Sequence, residues 1–158
     1  KSAPGFLYEA MECLGGNGYV EEGILARHYR ESPVNAIWEG SGNVMCLDVL
    51  RGIERTPNAA EVLKHELDGG DARLKAFVGR LQERLRASDR NDESQARVLV
   101  RDLVLALQGA LLEKHSPSAI ADAFCASRLA GEGASVFGTL PRGLDLRAIA
   151  ERAAPISA

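Results

Sequence analysis

The segment Ile37-Trp38-Glu39-Gly40-Ser41-Gly42-Asn43 places one carboxylate among large apolar groups, next to two glycines and a hydroxyl. Desolvation in such surroundings raises a carboxyl pKa, the condition for an acid or base that works near neutrality. Glu39 is therefore the candidate catalytic base. Gly40 would let a substrate or cofactor come close to the backbone, with Trp38 as an apolar contact beside it. A Glu beside a helix start is equally a favourable partner for the helix dipole, and residue types alone admit both readings.

Other groups carry weaker signals. Gly15-Gly16-Asn17-Gly18-Tyr19 has the look of a dinucleotide fingerprint, but a helix rather than a strand precedes it and no helix follows directly. It reads either as a helix C-cap and turn or as backbone amides brought close to a phosphate, aided by Arg27 and Arg30. Arg73, Arg80 and Arg84 are spaced to lie nearly in line on one helix face, with Arg97 and Arg101 as an extension. Such a row is a solvated surface, or a candidate for salt-sensitive contacts to DNA phosphates. His28, His65 and His115 have no ligand at metal-binding spacing, so no metal is expected. No Gly-x-Ser-x-Gly elbow or Walker loop occurs.

These residues need helices to position them. Apolar spacing predicts a helix over 4–14, a tight loop over 15–23, a short helix over 24–30 ending near Pro33, and a turn from Pro33 to Gly42. A second solid helix follows, capped by Ser41 or Asn43 and ended by Thr56-Pro57-Asn58. Further helices are expected over 58–67, then from an Asp71 cap with Leu74, Phe77, Val78, Leu81 and Leu85 as the buried stripe. A polar loop over 88–93 leads to the longest helix, ending near His115-Ser116-Pro117. Ser118 starts a shorter helix to about 130, a glycine-rich stretch covers 131–143, and an Asp145-capped helix runs through Ala153 before a frayed end. The fold class is all-α, a helical bundle.

The 158 residues are 46% apolar and only 5% aromatic, which suits packed helices better than a β-sandwich. Residues 1–54 hold four basic and eight acidic groups, a net −4, whereas 55–158 hold fifteen and fourteen, a net +1. No nucleic-acid role follows from the total, and only a local basic patch would carry one. Cys13, Cys46 and Cys125 are odd in number and widely spaced, as reduced structural cysteines of a cytoplasmic protein are. No apolar run is long enough to span a membrane and no signal peptide precedes the first helix. Because no initiating Met is present, the chain is expected to be a piece of something longer.

Taken in order, Glu12-Cys13-Leu14-Gly15-Gly16-Asn17-Gly18-Tyr19-Val20, Leu25-Ala26-Arg27-His28-Tyr29-Arg30 and Ile37 through Val44 to Arg51 closely resemble the C-terminal helical domain of acyl-CoA dehydrogenases. The runs Arg30-Glu31-Ser32-Pro33-Val34-Asn35 and Met45-Cys46-Leu47-Asp48-Val49-Leu50-Arg51 resemble its alkylation-response, AidB-like branch. The resemblance implies that residues 1–55 are the C-terminal portion of the dehydrogenase helical domain and that 56–158 are a helical extension. It implies FAD as cofactor of the full-length parent and an acyl-CoA thioester as substrate. Glu39 would take the α-proton while the β-hydrogen leaves as hydride to the flavin, and the thioester oxygen would meet a flavin ribityl hydroxyl and the Glu39 backbone N–H. Gly15, Gly16 and Gly18 match the turn that approaches FAD, partly across a subunit interface, and Ser41 and Asn43 match the stretch near its adenine end. A homo-oligomer, dimer or tetramer, is implied for the parent, and the piece alone is expected to be inactive. For the AidB-like branch the resemblance further implies duplex-DNA binding through the C-terminal region and protection during alkylation damage, with weak or vestigial dehydrogenation. A third reading makes 56–158 an oligomerisation or capping bundle.

Overall fold

Every regular element among the described residues is helical, in a computed structural model that describes residues 1–87, 93–131 and 136–154. The expected polar loop over 88–93, except Glu93, lies outside the described residues, as do 132–135 of the glycine-rich stretch and 155–158 of the expected frayed end. The chain divides into two compact units, Lys1–Val49 and Leu50–Ala158, each described by itself.

In the first unit, α1 (Ala3–Cys13) begins with Pro4 in its first turn, where the missing N–H costs nothing. It closes through the amides of Leu14 and Gly15 on the carbonyls of Met11 and Glu12, each at 3.0 Å. The expected loop then departs from prediction, because Gly16–Tyr19 winds one helical turn, α2. Gly18 makes that turn fit. A Cβ there would stand 2.1 Å from the Met11 carbonyl oxygen, so only glycine lets α2 lie on α1. Helix α3 (Ile24–Glu31) ends close to Pro33 as expected, and the chain then tightens into a 3₁₀ segment, Ser32–Ala36, with the proline in its first turn. The residues buried here, Gly18, Ala26 and Ser32, are all small, and Ser32 donates to the Tyr29 carbonyl at 2.8 Å. The fully buried positions of this unit are small residues, Leu7, Met11, Leu25 and Leu47 are half-buried, and many of its other large apolar side chains are exposed.

Helix α4 (Gly42–Arg55) carries the chain onward, and α5 (Ala59–Glu66), α6 (Ala72–Ala87), α7 (Ala96–His115), α8 (Ser118–Phe124) and α9 (Leu146–Ala153) follow it. A 3₁₀ turn, Glu93–Gln95, precedes α7, and α8 runs directly into a π-helical turn, Cys125–Leu129. The second unit has a true core. Leu67, Leu81, Leu99 and Ala106 form one cluster, and Leu74, Ala110, Cys125 and Leu129 form another. The small residues Ala106, Gly109 and Ala110 make a flat face on α7. A Cβ at Gly109 would come within 2.9 Å of Leu129 and 3.4 Å of Leu74, the close approach that native packing density requires.

Both predicted aspartate caps are made. Asp71 Oδ1 accepts from the amides of Arg73 at 2.7 Å and Leu74 at 3.4 Å, and Asp145 Oδ1 accepts from the Ala148 amide at 2.9 Å. One helix start is completed from far along the chain: Glu113 Oε1, on α7, accepts from the amides of Gly70 at 2.7 Å and Asp71 at 2.9 Å. Leu85, expected in the buried stripe of α6, is exposed. It follows Leu81 by one turn but lies in the last turns of the helix, beyond the reach of either core cluster.

Candidate functional site

Glu39 is held by a succession of short-range backbone bonds. The amides of Ile37 and Trp38 both donate to the Val34 carbonyl, at 2.9 and 3.0 Å, and the Gly40 amide donates to Ile37 at 3.1 Å. Gly40 then turns the chain with φ 130°, a conformation for which glycine is required. The Ser41 carbonyl starts α4 by accepting the Met45 amide at 3.0 Å, so Ser41 is the residue at the helix cap. The geometry presents the Glu39 carboxylate on an exposed turn, immediately before a helix N-terminus.

The apolar enclosure expected around Glu39 is not formed by this chain. Glu39 itself is exposed, and so are Ile37, Val34, Val44 and Met45, while Trp38 is 68% exposed. On the same unit Tyr19 is 77% exposed, and Phe6 and Ile24 are also turned outward. Apolar exposure on this scale exceeds what isolated surface residues account for and marks a surface made to be covered. The aromatic and aliphatic residues beside Glu39 are thus available to a ligand or another polypeptide, not consumed in a local core.

The three glycines of the Gly15–Tyr19 turn have different roles. Gly15 has φ 57°, and neither Gly15 nor Gly16 has any atom within 4 Å of where a Cβ would sit, so their backbone is open to approach. Gly18 is taken up by packing on Met11. Arg27 and Arg30, the cations near this turn in sequence, are engaged with acids. Arg30 makes a two-pronged ion pair with Glu21, its Nη2 lying 3.0 Å from Oε2, and this holds the Glu21 carboxyl below its usual range. Arg27 lies 3.6 Å from Glu31 one turn on. Ser41 and Asn43 are exposed at the start of α4.

The arginine row of α6 ties helices together. Arg73 Nη2 reaches Asp71 at 2.6 Å and Asp122 of α8 at 2.7 Å. Arg80 donates to the Leu129 carbonyl at 3.2 Å, at the end of the π turn, with its guanidinium 5.4 Å from the Phe77 ring centroid. Arg84 lies 3.4 Å from Asp102 of α7, which Arg101 also holds at 2.6 Å. The spacing of these arginines sets them on a shared face but carries no sign of their acceptors. Asp102 was detectable, because it falls within the apolar stripe Leu99, Leu103, Ala106 and is out of keeping with it.

Among the described residues no group of three or more His, Cys, Asp or Glu is arranged to hold a metal. No described helix is long and apolar enough to cross a membrane.

The family model for the acyl-CoA dehydrogenase C-terminal domain matches residues 5–54, the stretch that carries both the open glycine turn and Glu39. The chain belongs to the acyl-CoA dehydrogenase family. Its all-α bundle agrees with that assignment. It is 44% identical to AidB of Escherichia coli strain K12 over 123 residues, 76% of this chain and 22% of the relative. It is 34% identical over 122 residues to acyl-CoA dehydrogenase family member 11 of Caenorhabditis elegans, 76% of this chain and 17% of that protein. The bovine mitochondrial short-chain specific acyl-CoA dehydrogenase aligns over 49 residues at 39% identity, 31% of this chain and 12% of its own length. The chain therefore spans about a fifth of the length of the relatives that follow it furthest. Likeness to the short-chain dehydrogenase is confined to a third of the chain, whereas likeness to AidB runs well past residue 54.

Proposed function

We propose that this chain is part of an AidB-like flavoprotein that binds duplex DNA and protects it during alkylation damage, with acyl-CoA dehydrogenation weak or vestigial. The observation that carries this reading is the extent of the AidB likeness, 123 residues at 44% identity, which takes in the helical region after the family domain. In this reading residues 56–158 are a helical extension that contributes the nucleic-acid contacts, and the parent is a cytoplasmic homo-oligomer. Arg73 and Arg80 chiefly brace the bundle, while Arg84 sits at the solvent edge of the row. Contacts of this type depend on phosphate charge and weaken as salt rises.

A second reading, a competent FAD-dependent dehydrogenase, is favoured by the family match around Glu39. The residues present fit one edge of such a cofactor: Gly15 and Gly16 offer unobstructed backbone, and Ser41 and Asn43 stand at the start of α4. Bound FAD would supply the hydride acceptor. The chain's own part is to place the Glu39 carboxylate against the α-carbon of a thioester and take its proton. The Glu39 N–H would donate to the thioester oxygen as it gains charge, and Trp38 and Gly40 would border the substrate. The exposed apolar groups around Glu39 would exclude water once covered, which strengthens both interactions.

One experiment on the full-length protein with FAD separates the readings. Duplex DNA binding is followed against salt, and flavin bleaching is followed with a series of acyl-CoAs in the native protein and Glu39→Gln. Salt-sensitive binding with slow bleaching that Glu39→Gln abolishes is expected. Fast bleaching lost in the variant, with no duplex binding, would replace the first reading by the second.

A further inference from the structure

We propose that Glu21 and Arg30 are positioning residues, whose ion pair latches the loop after α2 to α3 and so holds the Gly15–Gly16 backbone in place for the flavin. This inference rests on the FAD-binding reading above, which both proposed functions share.

Gly15 and Gly16 can receive a ligand only if the turn that carries them stays in one place, and α2 is a single helical turn, too short to be stable by itself. Two of its fastenings are made by backbone. Gly18 lies on the Met11 carbonyl of α1, and Gly23 folds back on α2, where a Cβ would stand 3.3 Å from the Asn17 carbonyl oxygen. The third joins the loop to α3. Val20 leaves α2 in an extended conformation, with ψ 155°, while its amide donates to the Gly16 carbonyl at 3.3 Å. Glu21, the next residue, receives both terminal nitrogens of the Arg30 guanidinium, one on each carboxylate oxygen, with Nη2 3.0 Å from Oε2. Arg30, Glu21, Val20 and Gly16 are thus successive links from α3 to the open glycines.

The local charge argues against a direct phosphate contact for Arg30. Residues 21–31 hold three acids, Glu21, Glu22 and Glu31, against Arg27 and Arg30. Arg27 lies 3.6 Å from Glu31, and both terminal nitrogens of Arg30 are on Glu21, so an arriving anion would meet an acidic neighbourhood. The fork suits a latch instead, because a planar guanidinium fixes a carboxylate in direction as well as in distance. The pair is exposed, at 57% of the Arg30 and 70% of the Glu21 side chain. Exposed pairs add little to the stability of a whole fold and are screened by salt. Its effect is therefore expected on the turn and not on the melting temperature.

The full-length protein is stripped of flavin and titrated with FAD at low and high KCl, as native protein, Glu21→Gln, Arg30→Lys and the double variant. Hydrogen exchange of residues 15–23 is read on the same apoproteins by mass spectrometry. Each single variant should exchange faster over 15–23 and bind FAD about three- to fivefold more weakly at low salt, with an unchanged melt. The double variant should lose little more than either single one, because both remove the same contact. High salt should narrow the gap between native protein and variants, since only the native protein has a pair to screen. If Arg30→Lys fails to fold, Glu21→Gln decides. Native FAD affinity in a folded Glu21→Gln protein would overturn the proposal. So would additive losses in the double variant, or weaker FAD binding with unchanged exchange over 15–23, which would make these residues direct cofactor contacts. A native protein that takes up no FAD would instead refute the flavin reading on which the proposal stands.

Discussion

Replacing Asp71 by Asn should loosen the start of α6 in a pH-dependent way. Its carboxyl is drawn from the usual 3.8 down to about 2, first by the Arg73 guanidinium and then by the Arg73 and Leu74 amides, against an opposing contribution from burial. A displacement of that size stabilises the charged form by about 2 kcal/mol. The cap bonds are among its causes, so a separate capping contribution is not to be added. Because the folded-state value is depressed, the stabilisation is complete above about pH 4, fades as pH falls toward about 2, and is absent below both values. Asn keeps an acceptor for the Arg73 amide and loses the charge, so about 1 to 2 kcal/mol should disappear at neutral pH. Hydrogen exchange of the first turns of α6, read by mass spectrometry on the full protein, should show protection falling by about tenfold or more in Asp71→Asn at pH 7. The gap between variant and native protein should close as the pH is lowered toward 2. Equal protection at pH 7, or a gap that is undiminished at low pH, would refute the assignment of this stability to the Asp71 charge.

The glycines of the α1–α2 turn should behave oppositely. Gly18→Ala pushes a Cβ into the Met11 carbonyl and should destabilise the first unit by about 2 kcal/mol or more, measured by limited proteolysis near Tyr19. Gly16→Ala has open space and should leave the fold intact. If Gly16 borders the flavin, it should weaken FAD retention, measured by the flavin absorbance after dialysis. The Cys125 thiol is pushed up to about 11, chiefly by burial, so it should resist iodoacetamide in the native protein at pH 8 and react only after unfolding, as peptide mass analysis would register.

The helices themselves were legible because their signals are local. Pro4 at one start, Asp71 and Asp145 at two others, and Thr56-Pro57-Asn58 at a stop are chemical instructions contained within one turn of chain. What escaped prediction depends on neighbours distant in sequence. The turn at Gly16–Tyr19 forms because Gly18 can lie on Met11, and glycine-rich sequence by itself argues for a loop. Residues 118–129 have one helical pattern, yet the Cys125–Leu129 stretch widens to a π turn that ends with the Leu129 carbonyl on Arg80. The arginines of α6 were placed correctly in register, but periodicity cannot see the carboxylates that arrive from α7 and α8. At Glu39 the position was legible and its surroundings were not. A run of apolar residues announces contact without saying whether that contact is made within the chain, and here Trp38 and Ile37 point away from it.

The reach of Glu113 back to Gly70 and Asp71 has a practical consequence for dissecting this protein. The start of α6 is finished by an acceptor more than forty residues downstream, so a shortened version that stops inside α7 would leave those amides without it. Gly69 and Gly70 tolerate the carboxylate because they have no side chain to oppose it, and a Cβ at Gly69 would stand 2.4 Å from Glu113 Oε2. Expression boundaries drawn from helix ends alone would miss this dependence. Gly70, Asp71 and Glu113 are therefore best kept within one piece of chain.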